Sequence, residues 1–421
     1  MSKTNNLAPT PPMGWNSYDY WGGEIPESKF VASVDVQARE LLPFGWEYAV
    51  IDIAWMTRRP AEVDEAGRPY PNPKQFPSSV GGKGFKPLSD YVHSKGMKFG
   101  IHVLHGIPKQ AVEKKILIPG TSITADTLAN YSEMNALSED FYCIDWNRPG
   151  GQAYYDAVLR QFEEWGVDFI KVDDVGAKYR KEDVEALDLA RQKIKRPIVL
   201  SLSAGCPQYS NYKLHRKQHC ETWRISEDFW DRWPQVEDQF FNLLTWQDQV
   251  GPGHWLDCDM LPFGVIGKEH EAGVNGPERK TLLTPHEQRT VMTLWCLAQS
   301  PLMFGGDLLQ LDAETRTLLT NPEVLAVNQH GRRPREFTRN CAESGVVWIS
   351  ELPRTNGWAM GLFNFNAQIP RKISVALAEA PWAGPCRVRD LWARQNLGTF
   401  SEDLVFEIPP HGAGLYAVER A

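Results

Sequence analysis

Carboxylates recur where short apolar runs end in this chain. Asp52 follows Tyr48-Ala49-Val50-Ile51, Asp173 follows Phe169-Ile170-Lys171-Val172, Glu227 and Asp228 follow Thr222-Trp223-Arg224-Ile225-Ser226, and Asp257 and Asp259 close Gly253-His254-Trp255-Leu256. The run through Lys171 is the most informative. Side chains alternate along a strand, so Phe169, Lys171 and Asp173 share one face, and Ile170, Val172 and Asp174 the other. A lysine and a carboxylate are costly to bury, and in parallel α/β enzymes the carboxyl ends of strands are where sites are built. Paired carboxyl groups suit hydrolysis of a glycosidic bond, which takes one ionised carboxylate as nucleophile and one protonated carboxyl as acid and base. Lys171 beside Asp173 favours the ionised form there. Asp228 lies among Trp223, Phe229, Trp230 and Trp233, where loss of water favours the protonated form. The competing roles are structural: an N-cap for a helix beginning at Phe229 in the case of Asp228, a turn for Asp174, and a solvated charge for Lys171.

The elements that would position these groups alternate. Strand-like runs near residues 11–18, 48–55, 97–103, 167–175, 197–203, 222–226, 253–257 and 301–305 are separated by helical stripes. Among these, Glu27 to Leu42, Gly151 to Trp165, Lys181 to Lys195, Phe229 to Trp246 and Pro285 to Gln299 are the clearest. Gly166 ends the third of the intervening helical patterns, as a left-handed cap would. Eight strands alternating with helices predict an α/β chain of the (β/α)8 TIM-barrel type. An open doubly wound sheet would need a glycine-rich phosphate loop after its first strand, and none is present. Residues 105–149 show little periodicity and read as an irregular insertion over the site, a lid or wall. From about residue 331 the texture changes to short alternating segments such as Val346 to Ser350 and Leu404 to Ile408, separated by Gly, Pro and Asn. The expected division is therefore a barrel over 1–330 and a smaller antiparallel β-sandwich over 331–421.

Composition narrows the classes. The chain has 421 residues, is 42% hydrophobic and carries 16 Trp, 13 Tyr and 18 Phe, enough aromatic surface both to pack a core and to stack on sugar rings. Its net charge of −8 and lack of a basic stripe argue against a nucleic-acid partner. No apolar run is long enough for a transmembrane helix, and the polar start lacks a signal-peptide core, so a cytoplasmic location is expected. The seven cysteines are widely spaced without a Cys-x-x-Cys pair, which reads as free thiols rather than disulfides or a zinc site.

Several segments together resemble glycoside hydrolase family 27, the retaining α-galactosidases and α-N-acetylgalactosaminidases, most closely its bacterial branch. They are Pro11-Pro12-Met13-Gly14-Trp15-Asn16-Ser17, Tyr91 to Ile101, Trp165 to Asp173, Trp223-Arg224 through Asp228, and Gly253 to Leu261. The resemblance implies Asp173 as nucleophile and Asp228 as acid/base. It also implies that Asp52, Lys171, Arg224 and Asp259 hydrogen-bond sugar hydroxyls, that Trp15 and Tyr18 line the pocket, and that no metal or organic cofactor takes part. The sequence departs from the galactosidase pattern at three places. Asp52 is followed by Ile53 rather than a second aspartate, His102 replaces a tyrosine, and Ser203, followed by Ala204-Gly205-Cys206, replaces a glutamate that receives the 2-hydroxyl. The expected activity is removal of a terminal α-linked galactose-like unit from an oligosaccharide or glycoside. β-L-Arabinopyranosides, α-N-acetylgalactosaminides and isomaltose units are alternative substrates, and a sugar-binding protein without catalysis is the alternative from another class.

Overall fold

The computed structural model describes residues 7–56, 61–176, 178–203, 212–268, 276–340, 344–382 and 384–421. Its centre is an eight-stranded, all-parallel sheet. In chain order the strands are β1 (Met13–Asn16), β2 (Tyr48–Ile51), β3 (Lys98–Leu104), β4 (Phe169–Asp173), β5 (Val199–Leu202), β6 (Thr222–Arg224), β7 (Trp255–Asp257) and β8 (Leu302–Phe304). β8 pairs with β1, and the segment after β7 reaches β8 through a parallel bridge between Leu261 and Phe304, which closes the (β/α)8 barrel.

Strand alternation sorts the side chains into two layers. Tyr48, Val50, Phe169, Val199, Trp255 and Met303 form one cluster inside the barrel, floored by Ala8, whose carbonyl accepts the Trp255 indole N–H at 2.8 Å. The intervening residues, among them Ala49, Ile51, Phe99, Ile101, Ile170, Val172, Leu200 and Leu202, join the large core beneath the helices. Those helices include α1 (Glu27–Glu40), α2 (Lys86–Ser94), α3 (Gly151–Trp165), α4 (Lys181–Arg191), α5 (Lys213–His219), α6 (Trp233–Trp246), α7 (Pro285–Ala298) and α8 (Pro322–His330). Gly166 ends α3 at φ +78°, as its sequence position predicts. α6 starts at Trp233, not at Phe229, because Phe229 turns inward onto Trp295 while Arg232, in extended conformation, caps the helix.

The insertion is not irregular. Ile107–Pro108, Ala129–Asn135 and Ser138–Ile144 form a three-stranded antiparallel sheet, the last two joined by a tight turn at Ala136-Leu137. Both of the longer strands carry exposed or half-exposed residues on each face, so the hydrophobic alternation that signals a strand is missing.

After α8 the chain forms a β-sandwich. Strands β9 (Arg332–Asn340), β10 (Gly345–Leu352), β11 (Gly357–Asn364), β16 (Ala413–Arg420), β13 (Cys386–Asp390) and β14 (Gln395–Phe400) make one antiparallel sheet in that order. β12 (Arg371–Val375) and β15 (Leu404–Ile408) make the other. Val347, Ile349, Met360, Leu362 and Val418 face the small sheet, whereas Val346, Trp348, Ala359, Phe363 and Leu415 join the barrel's core. The period of two thus gives the large sheet a buried layer on each side.

Candidate active site

The inward-facing residues at the carboxyl ends of the barrel strands are polar, and they contact one another. Register places His102, Lys171 and Ser201 side by side on β3, β4 and β5, and Arg224 beside Asp257 on β6 and β7. Lys171 Nζ donates to Asp52 Oδ2 at 2.9 Å, and Asn16 donates to the same oxygen at 2.7 Å. The Asp52 backbone N–H is held by Ser17 Oγ at 3.0 Å, and Ile53 N–H donates to Asp52 Oδ1 at 2.8 Å. Burial alone would raise the Asp52 pKa, but Lys171, His102 and these donors outweigh it and hold the carboxylate below its ordinary value.

Asp173 ends β4. His102 Nε2 lies 3.0 Å from its Oδ2, and the Asp174 N–H donates to Oδ1 at 2.9 Å. Burial pushes its pKa up, yet His102, Lys171 and the backbone donor together pull it well below the usual carboxylate range. The same neighbours act in reverse on Lys171: burial lowers its pKa, but Asp52, Asp173 and Asp259 raise it further, so the ammonium stays charged. Asp174 itself sits at φ +59°, turned away from the barrel axis, where His105 Nε2 (3.1 Å) and the Ala136 N–H (2.7 Å) contact its Oδ2. The tip of the insertion hairpin is therefore tied to the residue next to Asp173.

A second set adjoins the first. Arg224, fully buried, bonds Asp259 at 2.8 Å, Asp228 at 3.2 Å and Ser203 Oγ at 3.5 Å. Asp259 adopts φ +81° and accepts the Phe229 N–H at 2.7 Å, so the carboxylate that holds Arg224 also fixes the loop carrying Asp228. Burial raises the Asp259 pKa, with Asp228 and Asp257 adding to it and Arg224 opposing it. Tyr18 stands between the two sets, with Lys171 Nζ 5.7 Å from its ring centre and Trp230 6.4 Å away.

Two expectations need correction. Trp15 does not line the mouth: it is fully buried on the outer face of β1, against Phe30 of α1, and its indole N–H donates to the Gly306 carbonyl at 2.9 Å. In β1 the inward positions are Gly14 and Asn16, which leaves Trp15 under the helices. Nor is Asp228 enclosed by aromatic rings. Its side chain is 61% exposed, because Phe229 is buried beside Trp295 and Trp223 is buried against Trp246, both away from it. Asp228 also lies outside α6 and caps nothing. Ala204, Gly205 and Cys206 lie outside the described residues.

Sequence reasoning missed Asp19. It is buried, its Oδ2 has no hydrogen-bond partner, and a Cβ on Gly305 would lie 1.8 Å from that oxygen. Burial, reinforced by Asp259, raises its pKa well above normal. Asn16 and Ser17, which hold Asp52, were visible only as part of a motif. Among the described residues, no group of metal-type ligands converges at this mouth.

A closed barrel whose mouth holds an ionised aspartate, a buried lysine–aspartate pair and an arginine shared by two more carboxyls is the architecture of a glycoside hydrolase. A model of α-galactosidase A matches residues 10–132 and 128–330, and a model of the α-galactosidase C-terminal β-sandwich domain matches 343–418. The chain belongs to glycoside hydrolase family 27. It is 40% identical to a family 27 β-L-arabinopyranosidase from Geobacillus stearothermophilus solved with arabinose, covering 100% of this chain and 99% of that one with a TM-score of 0.95. It is 28% identical over 427 residues to the α-galactosidase of Cyamopsis tetragonoloba, across 98% of this chain and 87% of that enzyme. The human α-N-acetylgalactosaminidase is 27% identical, across 90% of this chain and 84% of that enzyme.

Proposed function

We propose that the protein removes terminal β-L-arabinopyranosyl units by double displacement, with Asp173 as nucleophile and Asp228 as acid and base. The observation that carries the mechanism is the set of contacts at Asp173: His102, the Asp174 N–H and the nearby Lys171 ammonium all favour its ionised form. Asp173 attacks the anomeric carbon while Asp228 gives its proton to the departing glycosidic oxygen. Asp228 then takes a proton from water, which displaces the sugar from Asp173. The exposure of Asp228 suits the rim position, where an aglycone passes. Asp52 and Lys171 together offer acceptor and donor to ring hydroxyls, as do Arg224 and Asp259 on the other side, and Tyr18 supplies an aromatic wall.

The choice of sugar rests on Ile53. β-L-Arabinopyranose has the ring configuration of α-D-galactopyranose without the C6 hydroxymethyl group. Ile53 is apolar where the galactosidase pattern has a second aspartate, so the site offers one acceptor fewer, and the arabinopyranoside has one hydroxyl fewer to satisfy. The 40% identity to an arabinopyranosidase over the full chain supports the same reading. A second reading, an α-N-acetylgalactosaminide, is favoured by the small Ser203. The five cysteines described are free and buried, which supports work in a reducing compartment.

A panel of nitrophenyl glycosides tests the proposal. An unsatisfied buried hydroxyl costs about 1 to 3 kcal/mol, so kcat/KM for the β-L-arabinopyranoside should exceed that for the α-D-galactoside by about ten- to a hundredfold. Equal or better turnover of the galactoside contradicts the assignment to Ile53, and preference for the N-acetylgalactosaminide moves it to Ser203.

A further inference from the structure

Away from the mouth, on the outer ring of helices, α4 and α5 bring together Glu185, His215 and His219, and one ligand atom from each lies within 4.8 Å of the other two. His215 and His219 are four residues apart on α5, so both rings project from one face, with centres 4.4 Å apart. Glu185 reaches them from α4, with Oε1 3.0 Å from His215 Nε2.

Both rings are held on the side away from the cluster. Tyr179 OH lies 2.6 Å from His215 Nδ1, and Asp188 Oδ2 lies 2.9 Å from His219 Nδ1. Each histidine therefore has its Nδ1 engaged from outside, which fixes the ring and leaves Nε2 as the ligand atom, as second partners do around ligating histidines. Asp188 is itself held by Arg191 at 2.7 Å and by Gln192 at 3.0 Å, so it orients and does not ligate. The three candidate ligands are only partly buried, which leaves a way in for a hydrated ion. The exposed Lys181, 3.5 Å from Glu185, is the group an ion would displace.

We propose that Glu185, His215 and His219 bind one divalent cation of the zinc class, with water completing a tetrahedral shell. Two imidazoles and a carboxylate suit zinc, cobalt or nickel far better than magnesium or calcium, which prefer oxygen ligands. The ion's role is structural. α5 has seven residues and no side-chain N-cap, too short to hold its shape unaided. It leads into β6, and its Arg216 donates to the Arg224 carbonyl at 3.4 Å. Binding the ion to both helices fastens α5 to α4 on the flank that supports Arg224.

The test uses the full chain stripped with chelator and titrated with Co2+, followed by displacement with Zn2+. The expected result is one Co2+ per chain with the visible absorption of a four-coordinate ion, and a Tm higher by about 2 to 4 °C in excess Zn2+. His219→Gln and Glu185→Gln should each weaken binding about tenfold or more, and Tyr179→Phe about tenfold, with glycoside turnover kept as the sign of correct folding. His286→Gln, on an exposed histidine elsewhere, should change nothing. Absence of stoichiometric binding overturns the proposal. So does unchanged affinity in His219→Gln and Glu185→Gln, which would place the ion at another site.

Discussion

The ionisation of Asp173 depends on which partners remain. His102 is fully buried and bonded to it, so His102→Gln keeps a polar side chain but removes the imidazole's contribution. The Asp173 pKa then rises toward the ordinary carboxylate value. Wild-type kcat/KM should stay flat well below pH 4 as far as Asp173 is concerned, and in the variant the acid limb should move upward, measured on the preferred nitrophenyl glycoside across pH 3 to 8. The sign for stability agrees. The folded pKa of Asp173 is depressed, so its contribution is fully present above about 3.9, the unfolded value, and is lost only as pH falls through the lower folded value. This residue was legible because lysine and aspartate alternate on an apolar strand. The placement of Trp15 is not legible, since a motif gives residue types but not the strand face, and nothing in Tyr18-Asp19-Tyr20 marks a buried carboxyl.

At the scale of elements, the non-glycine residues Ala54, Asp174 and Asp259 take φ values of +66°, +59° and +81° just beyond the ends of β2, β4 and β7. Such conformations cost free energy and concentrate where a site imposes them. At Asp174 the turn is held by His105, which also approaches Asp183 at 3.8 Å, while Tyr155 OH donates to Asp183 at 2.5 Å. Burial lowers the His105 pKa, but Asp174 and Asp183 more than compensate and raise it above 6.5. Its stabilisation is therefore full below the unfolded value and is lost as pH rises through the higher folded one. The gap in Tm between wild type and His105→Gln should shrink steadily from pH 6 upward. A constant gap would mean that His105 acts by packing alone. The strands of the barrel were legible from apolar runs ending in charge. The insertion sheet was not, because Ala129–Asn135 is exposed or half-exposed over most of its length and Ser138–Ile144 buries only its second half, so neither shows a clean alternation.

The whole molecule unfolds as one unit if the shared core means what its packing implies. Leu297 of α7 fills the space over Gly361 of β11 so closely that a Cβ there would lie 2.2 Å from its Cδ1. Trp392 donates to Thr293 Oγ1 at 3.0 Å, and His411 stacks on Trp233 with ring centres 3.6 Å apart. Glu287 closes the capping box of α7 with Thr284 and also bonds His411 Nδ1 at 2.7 Å. Calorimetry should show a single transition, and Glu287→Ala should lower stability by about 1 to 3 kcal/mol, since both a cap and a cross-link are lost. Two well-separated transitions would show that the sandwich is only tethered. The change of texture near residue 331 made the second fold legible, but this joint was not, because its partners are far apart in the chain and no local pattern links them.

Asp173 as the nucleophile is best tested by trapping the intermediate. The protein is treated with a 2-deoxy-2-fluoro-β-L-arabinopyranosyl fluoride, digested and sequenced by mass spectrometry. One sugar per chain is expected, on Asp173, and none in Asp173→Asn. A label on any other carboxylate, or rapid turnover with inverted product and no label, would contradict this assignment.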